Sequence, residues 1–189
     1  MTQFTRRTFM SLAATSSLAL LAGTGMASAE NLAKRAKIDA KADASLEKLL
    51  AGNEHARALA EKATALLIFP SITEAGIAGI GGKRGKGVLR QGDKSLGYYR
   101  TTSVSFGLEL GFETHGYVVM FMTHDSAQKF ASEAELDLGA QAEITVYRGV
   151  AAEATTQSLK SEIVAFIFNE KGLIMDLTLE GTNINLMHI

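Results

Sequence analysis

Gly79 to Arg90 reads Gly-Ile-Gly-Gly-Lys-Arg-Gly-Lys-Gly-Val-Leu-Arg, and seven glycines fall between Gly76 and Gly92. Bare backbone amides beside lysine and arginine are the material of phosphate-binding loops. Spacing tests that chemistry. A dinucleotide fingerprint needs glycines at i, i+2 and i+5. Gly79 and Gly81 are followed by Arg84, and Gly85 and Gly87 by Arg90, so the pattern fails. A P-loop needs Gly, four residues, then Gly-Lys-Ser/Thr. Gly82-Lys83 and Gly85-Lys86 lack both the upstream glycine and the hydroxyl. What survives is a basic cluster, Lys83, Arg84, Lys86 and Arg90, on a flexible backbone. Such a cluster is either a solvated charged hairpin or a contact for anionic lipid, where each cation is worth ~1 kcal/mol.

Other reactive constellations fare worse. His55, His115, His124 and His188 show no ligand spacing, and with no cysteine in the chain a structural metal site is not expected. The same absence removes disulfides and thiol nucleophiles. His124-Asp125-Ser126 holds three triad residue types in a row, but adjacency is not triad geometry and no Gly-x-Ser-x-Gly elbow occurs. The start of a short helix explains that triplet better. Glu109 and Glu113 share a strand face about 13–14 Å apart at ~3.4 Å per residue, too far for a glycosidase pair. No enzyme is expected, and no cofactor.

The ends of the chain bound its setting. Arg6-Arg7 precedes an apolar stretch from Phe9 to Ala22, and Ala27-Ser28-Ala29 is a small-x-small cleavage site. Residues 1–29 are expected to be a signal peptide, and Thr5-Arg6-Arg7-Thr8-Phe9-Met10 resembles the twin-arginine export pattern. An ordinary secretory signal that carries two arginines is the alternative. The apolar run is short of the ~20 residues of a spanning helix. A periplasmic or secreted protein of one domain, residues 30–189, is the expectation. That segment carries 17 basic and 20 acidic residues, a net charge of −3, which argues against nucleic acid as a partner.

Two periodicities divide it. From Asn31 to Ala63 the chain is alanine-rich, and Ile38, Ala42, Leu46, Leu49 and Leu50 recur at helical spacing. Lys34, Arg35, Lys37, Lys41 and Lys48 alternate there with Asp39, Asp43 and Glu47. One amphipathic helix to about Leu50, a break at Gly52-Asn53 and a second helix to about Thr64 are predicted, with Asn53 as its cap. The first helix either docks on the sheet or lies on a membrane with its basic residues outward. From Leu66 the period becomes two. Alternation at Phe106–Glu113, Glu143–Tyr147 and Leu173–Glu180, and apolar runs at Tyr117–Met122 and Ile163–Phe168, predict strands. Turns are expected at Gly92-Asp93-Lys94, Thr114-His115-Gly116 and Asn169–Gly172, and a loop over Gly149–Ser161. A short helix is expected from Asp125, as its cap, to Ala134. The fold class is therefore α+β. N-terminal helices pack on a strongly curved antiparallel sheet or partly closed barrel with one short inserted helix.

An ordered set of segments now joins. It comprises Leu67-Ile68-Phe69-Pro70, Ala75-Gly76, Gly79-x-Gly81-Gly82, Gly85-x-Gly87-Val88-Leu89, Gly97-Tyr98-Tyr99 and Ser103-x-Ser105-Phe106-Gly107-Leu108. Phe121-Met122-Thr123, Lys171-Gly172-Leu173 and Leu179-Glu180-Gly181-Thr182 follow. The chain resembles the SYLF-domain family over about Ala33 to Ile189. Eukaryotic members bind phosphoinositides and associate with actin, and bacterial members are often exported single-domain proteins. The resemblance implies a non-enzymatic lipid-binding domain of the bacterial cell envelope, docking on anionic membrane or holding a lipid. A structural or protein-interaction module is the alternative. Lys34, Arg35, Lys37 and Lys41 occupy the segment comparable to the family's lipid-binding N-terminal region. The family motif leaves the positions of Lys83, Arg84 and Lys86 variable, so these cations are this chain's own and lipid contact through them is an inference from their charge. An exported protein meets neither actin nor phosphoinositides, so anionic phospholipid is the expected partner, and actin is not.

Overall fold

The computed structural model describes residues 16–77, 80–106, 111–133, 135–137, 144–147, 161–169, 172–173 and 183–189. The expected strand over Phe106–Glu113 lies partly outside them. The expected strand beyond Leu173 and the Gly149–Ser161 loop lie largely outside. Two compact units are present, one up to Ala36 together with Ile189 and one from Lys37 to His188. In the first, Glu30 and Lys34 pair at 2.8 Å one turn apart, and the Lys34 hydrogen bond and charge lower the Glu30 pKa. There too, Arg35 Nε donates to the Ile189 carbonyl at 2.7 Å. Among the described residues no helix is long and apolar enough to cross a membrane.

Helix α1 spans Ser16–Gly52 and α2 spans Glu54–Ala60. The alanine-rich run carries no breaker between Asn31 and Ala51, and Gly52 ends it. Asn53 is extended (φ −146°, ψ 104°), and its Oδ1 accepts from the Ala56 amide at 2.8 Å. The cap predicted from sequence is therefore formed. Arg57 Nη2 donates back to the Leu50 carbonyl at 2.8 Å, satisfying one orphan acceptor at the end of α1. Ile38, Ala42 and Leu49 are buried, one stripe at helical spacing.

The strands are β1 (Ala65–Ile77), β2 (Ile80–Gln91), β3 (Lys94–Phe106), β4 (Gly111–Phe121), β5 (Glu135–Asp137), β6 (Ile144–Tyr147), β7 (Ile163–Asn169), β8 (Gly172–Leu173) and β9 (Asn183–Leu186). They form one open sheet in the order β5-β9-β3-β2-β1-β4-β7-β6, with β8 on β7. Every pair is antiparallel except β6 and β7, which run parallel, so the sheet is mixed. Helix α3 (His124–Glu133) follows β4.

Thr114-His115-Gly116, expected as a turn, lies inside β4. The reason is spatial. A Cβ on Gly116 would come 2.9 Å from the Phe168 ring, so the glycine serves a close packing contact and not a reversal. Nor is Asp125 the cap of α3. Thr123 Oγ1 accepts from the Ser126 amide at 3.2 Å and fills that role.

One core face of the sheet carries Leu67, Phe69, Ile72, Leu89, Tyr99, Tyr117, Val119 and Phe121. Phe130 anchors α3 there, with centroids 5.1 Å from Phe121 and 4.9 Å from Tyr99. Burying such a ring is worth ~3 kcal/mol. Phe69 and Ile72 share this face although three residues apart. They can do so because β1 gains one residue between them against both neighbours. Pro70 sits in that bulge, the place a central strand tolerates proline.

The opposite face buries Ile68, Val88, Val118, Met120, Val164 and Phe166. α1 is tied to this side at Asp39. Its carboxylate accepts from Tyr98 OH at 2.7 Å and Ser95 Oγ at 2.9 Å, and Arg90 lies 3.4 Å away. Arg90 Nη1 also meets Asp43 at 2.6 Å. Asp39→Ala is expected to cost about 2 kcal/mol, because a charged acceptor shared by several donors is lost. A thermal melt should shift by about 4–8 °C. Asp43→Ala, at a more exposed carboxylate, should cost under ~1 kcal/mol. Equal losses for the two would contradict the hub role of Asp39.

Candidate functional site

On the helix side of the sheet a groove of about 370 Å³ opens between α1 and the β1 bulge. Its helical wall is Lys41, Ala44, Ser45 and Lys48. These stand at i, i+3, i+4 and i+7, hence on one helix face, with the lysine Cα atoms about 10 Å apart along the axis. Two small side chains between two long cations leave the gap. The opposing wall is the bulge itself, Pro70 and Ser71, with Gly116 of β4. Phe168 contributes an apolar surface, held close because Gly116 has no side chain. No carboxylate lines the groove among the described residues.

Strand alternation sorts the Gly-rich cluster. Lys83 faces the core side, where it meets Glu74 at 3.1 Å, both side chains being largely buried. Arg84, Lys86 and Arg90 face the helix side. Arg90 is engaged by Asp39 and Asp43, whereas Arg84 and Lys86 are exposed. The structure therefore does not bring the four together. It adds one residue that sequence reasoning missed: Arg100, exposed on β3 directly opposite Lys86. Like charges facing across a strand pair are destabilising by themselves. Of the N-terminal set, Lys34 is paired with Glu30, Arg35 donates to Ile189, Lys37 is exposed and Lys41 is on the groove.

Residues 102–187 match the family model Ysc84, described as Las17-binding protein actin regulator. That segment of the chain is similar to the SYLF-domain family. No curated protein matches the chain. The match runs from within β3 to the end of the sheet, so the Gly-rich strand β2 and the groove lysines of α1 lie outside the matched segment.

The core face of the sheet holds a second polar group. Thr101, Gly85, Ile72 and His115 form one row across four strands, and Lys83 and Glu74 lie in the next. Thr101, His115 and Glu74 are all buried. His115 Nδ1 has no hydrogen-bond partner among the described residues, and the Tyr117 hydroxyl has the Thr101 side chain beside it. Burial, with the Lys83 charge adding to it, pushes the His115 imidazole down to about 4, so it is neutral at pH 7. Burial raises the Tyr117 phenol. Sequence spacing gave no hint of this row, because its members come from four strands.

The His124-Asp125-Ser126 triplet does no nucleophilic work in this geometry. Ser126 Oγ donates to the Thr123 carbonyl at 3.0 Å, while His124 and Asp125 are exposed at the helix start. Among the described residues no three histidine or acidic side chains gather as metal ligands.

Proposed function

We propose that this SYLF domain is a non-enzymatic lipid-binding module of the bacterial cell envelope, docking on anionic membrane. The observation that supports this most is the set of exposed cations on the helix side of the sheet. Lys41 and Lys48 stand at the groove, and Arg84, Lys86 and Arg100 on the adjoining strands. Placing Lys86 opposite Arg100 costs stability unless an anion compensates them. Five cations at ~1 kcal/mol each give useful affinity for an anionic surface. The apolar Phe168 and Pro70 beside them suit a lipid interface better than a free polar ligand. In this reading residues 1–29 act as an export signal and the domain works in the periplasm or outside the cell.

The test is vesicle co-sedimentation on anionic and neutral lipid, at low and high salt. The protein should pellet with anionic vesicles only, and salt should release it. Arg84→Glu/Lys86→Glu/Arg100→Glu should weaken binding by about a hundredfold or more. No pelleting with anionic vesicles would remove this reading and leave the protein-interaction module.

A further inference from the structure

The groove is more specific than a general basic surface requires. Membrane docking needs cations that point outward, and Arg84, Lys86 and Arg100 supply them. It does not need two lysines set two helical turns apart across a small-residue gap, facing a strand bulge. That arrangement lets both flexible ammonium groups bend toward one point above Ala44 and Ser45. Lysine is suited to this convergence, being a compact charge on a flexible stem with rotatable donors. Hydroxyls of Ser45, Ser71 and Thr114 surround the same space and add donors. The ligand that matches is an anion with several free acceptor oxygens and more than one negative charge.

We infer that the groove is a headgroup site for a phospholipid ending in a phosphomonoester. The inference rests on the anionic-surface reading above. A terminal phosphate offers three acceptor oxygens and a charge near −2, enough for both lysines and a hydroxyl together. A phosphodiester headgroup carries one charge and fewer free oxygens, so it satisfies the two lysines less well. The volume of about 370 Å³ is at the lower end for ligand sites, enough for a headgroup but not for two acyl chains. The chains stay in the bilayer, and the exposed cations of β2 and β3 rest on the surrounding lipid. Phe168 and Pro70 give the groove an apolar side for the glycerol end of the headgroup.

The experiment compares vesicles of phosphatidylcholine doped with phosphatidic acid or with phosphatidylglycerol, matched in surface charge. The wild-type protein should bind the phosphatidic acid vesicles roughly tenfold more tightly. Lys41→Gln/Lys48→Gln should bring that ratio to about one. Arg84→Gln/Lys86→Gln removes the same charge and should weaken binding to both vesicles while keeping the ratio. All four side chains lie on the exposed surface, so unchanged thermal melts are expected and separate binding from folding. A ratio near one for the wild type, or a ratio that survives in the groove variant, overturns the headgroup site while leaving anionic docking intact. Failure to bind either anionic vesicle overturns both. Inorganic phosphate, titrated alone by calorimetry, should bind only weakly. Saturation by phosphate at micromolar concentration would make the ligand a free anion and overturn the lipid assignment.

Discussion

Gly87→Ala is expected to cost about 3 kcal/mol or more, and to lower the melting temperature by roughly 10 °C. A Cβ built at Gly87 lies 2.5 Å from the Ile68 carbonyl oxygen and 2.8 Å from two atoms of the Phe69 ring. The first contact is with backbone of the adjacent strand and cannot be relieved by a rotamer change. Moving it would disturb the bulge at Pro70, which alone keeps both Phe69 and Ile72 on the core face. The damage therefore spreads from one methyl group to two large core side chains. Gly85→Ala should also destabilise, but less: its Cβ would lie 2.7 Å from Ile72 Cγ1 and 3.0 Å from the Ser71 carbonyl oxygen, a wider gap to backbone than the 2.5 Å at Gly87. Gly82→Ala is the control. Its nearest neighbour is 3.7 Å away, so its effect should stay within ~0.5 kcal/mol. If urea unfolding ranked Gly82 with Gly87, the glycines would be serving strand flexibility and not space. The same substitution should also flatten the groove, because Pro70 and Ser71 of the bulge form its wall.

This gives the Gly-rich motif a physical meaning that its sequence conceals. Glycines beside basic residues suggest a loop that embraces phosphate, yet β2 is a continuous strand from Ile80 to Gln91. Its glycines accommodate the bulkier strand β1. Features with local causes were legible: the Asn53 cap, the Gly92 turn with its φ of 56°, the apolar strands β4 and β7, and the short helix α3. Features with distant causes were not. His115 sits between Thr114 and Gly116, a triplet with turn composition, and the glycine is explained by Phe168 and the Phe69 carbonyl on the two neighbouring strands. Arg100 was hidden by a register shift. Pairing Gln91 with Lys94 and counting back from the turn sets Tyr99 opposite Lys86. The irregularity between Leu89 and Arg90 moves Arg100 there instead. The parallel pairing of β6 with β7 has no local signature either.

The cations also divide by a rule that composition cannot show. Lys83 and Arg90 meet acids across the fold, at Glu74 and at Asp39 with Asp43, and they hold structure. Arg84 and Lys86 belong to the same sequence cluster but alternate onto exposed positions. Removing one partner from a buried pair is costly, whereas an exposed cation can be changed with little loss. Substitutions at Lys83 or Arg90 would therefore confuse stability with binding, and the exposed residues are the sound probes of lipid contact.

Acidification should weaken the fold through His115, by roughly 2–3 kcal/mol between pH 7.5 and pH 4.5. The sign follows from the direction of the shift. Burial and Lys83 lower the folded-state pKa to about 4, while the unfolded chain titrates near the ordinary 6.5. Between those values the unfolded state holds the extra proton, so stability is fully present above about 6.5 and is lost as pH falls toward 4. The imidazole has no compensating acceptor at Nδ1 among the described residues, and the charge of Lys83 opposes a second cation. Glu74 is the nearby acid, but it is already engaged by Lys83. His115→Gln keeps a polar side chain and removes the titration. Urea unfolding of both proteins at the two pH values isolates the residue, because all other groups cancel in the difference. The wild type should lose 2–3 kcal/mol more than His115→Gln over this range. An equal loss would mean that His115 finds a partner for its protonated form and is not held neutral by burial. A Lys83→Met/Glu74→Gln protein, which removes the ion pair without leaving a lone charge, should raise the His115 pKa and shrink the loss. The core row would then be an acid-labile seam in the sheet, on the face opposite the exposed cations Arg84, Lys86 and Arg100.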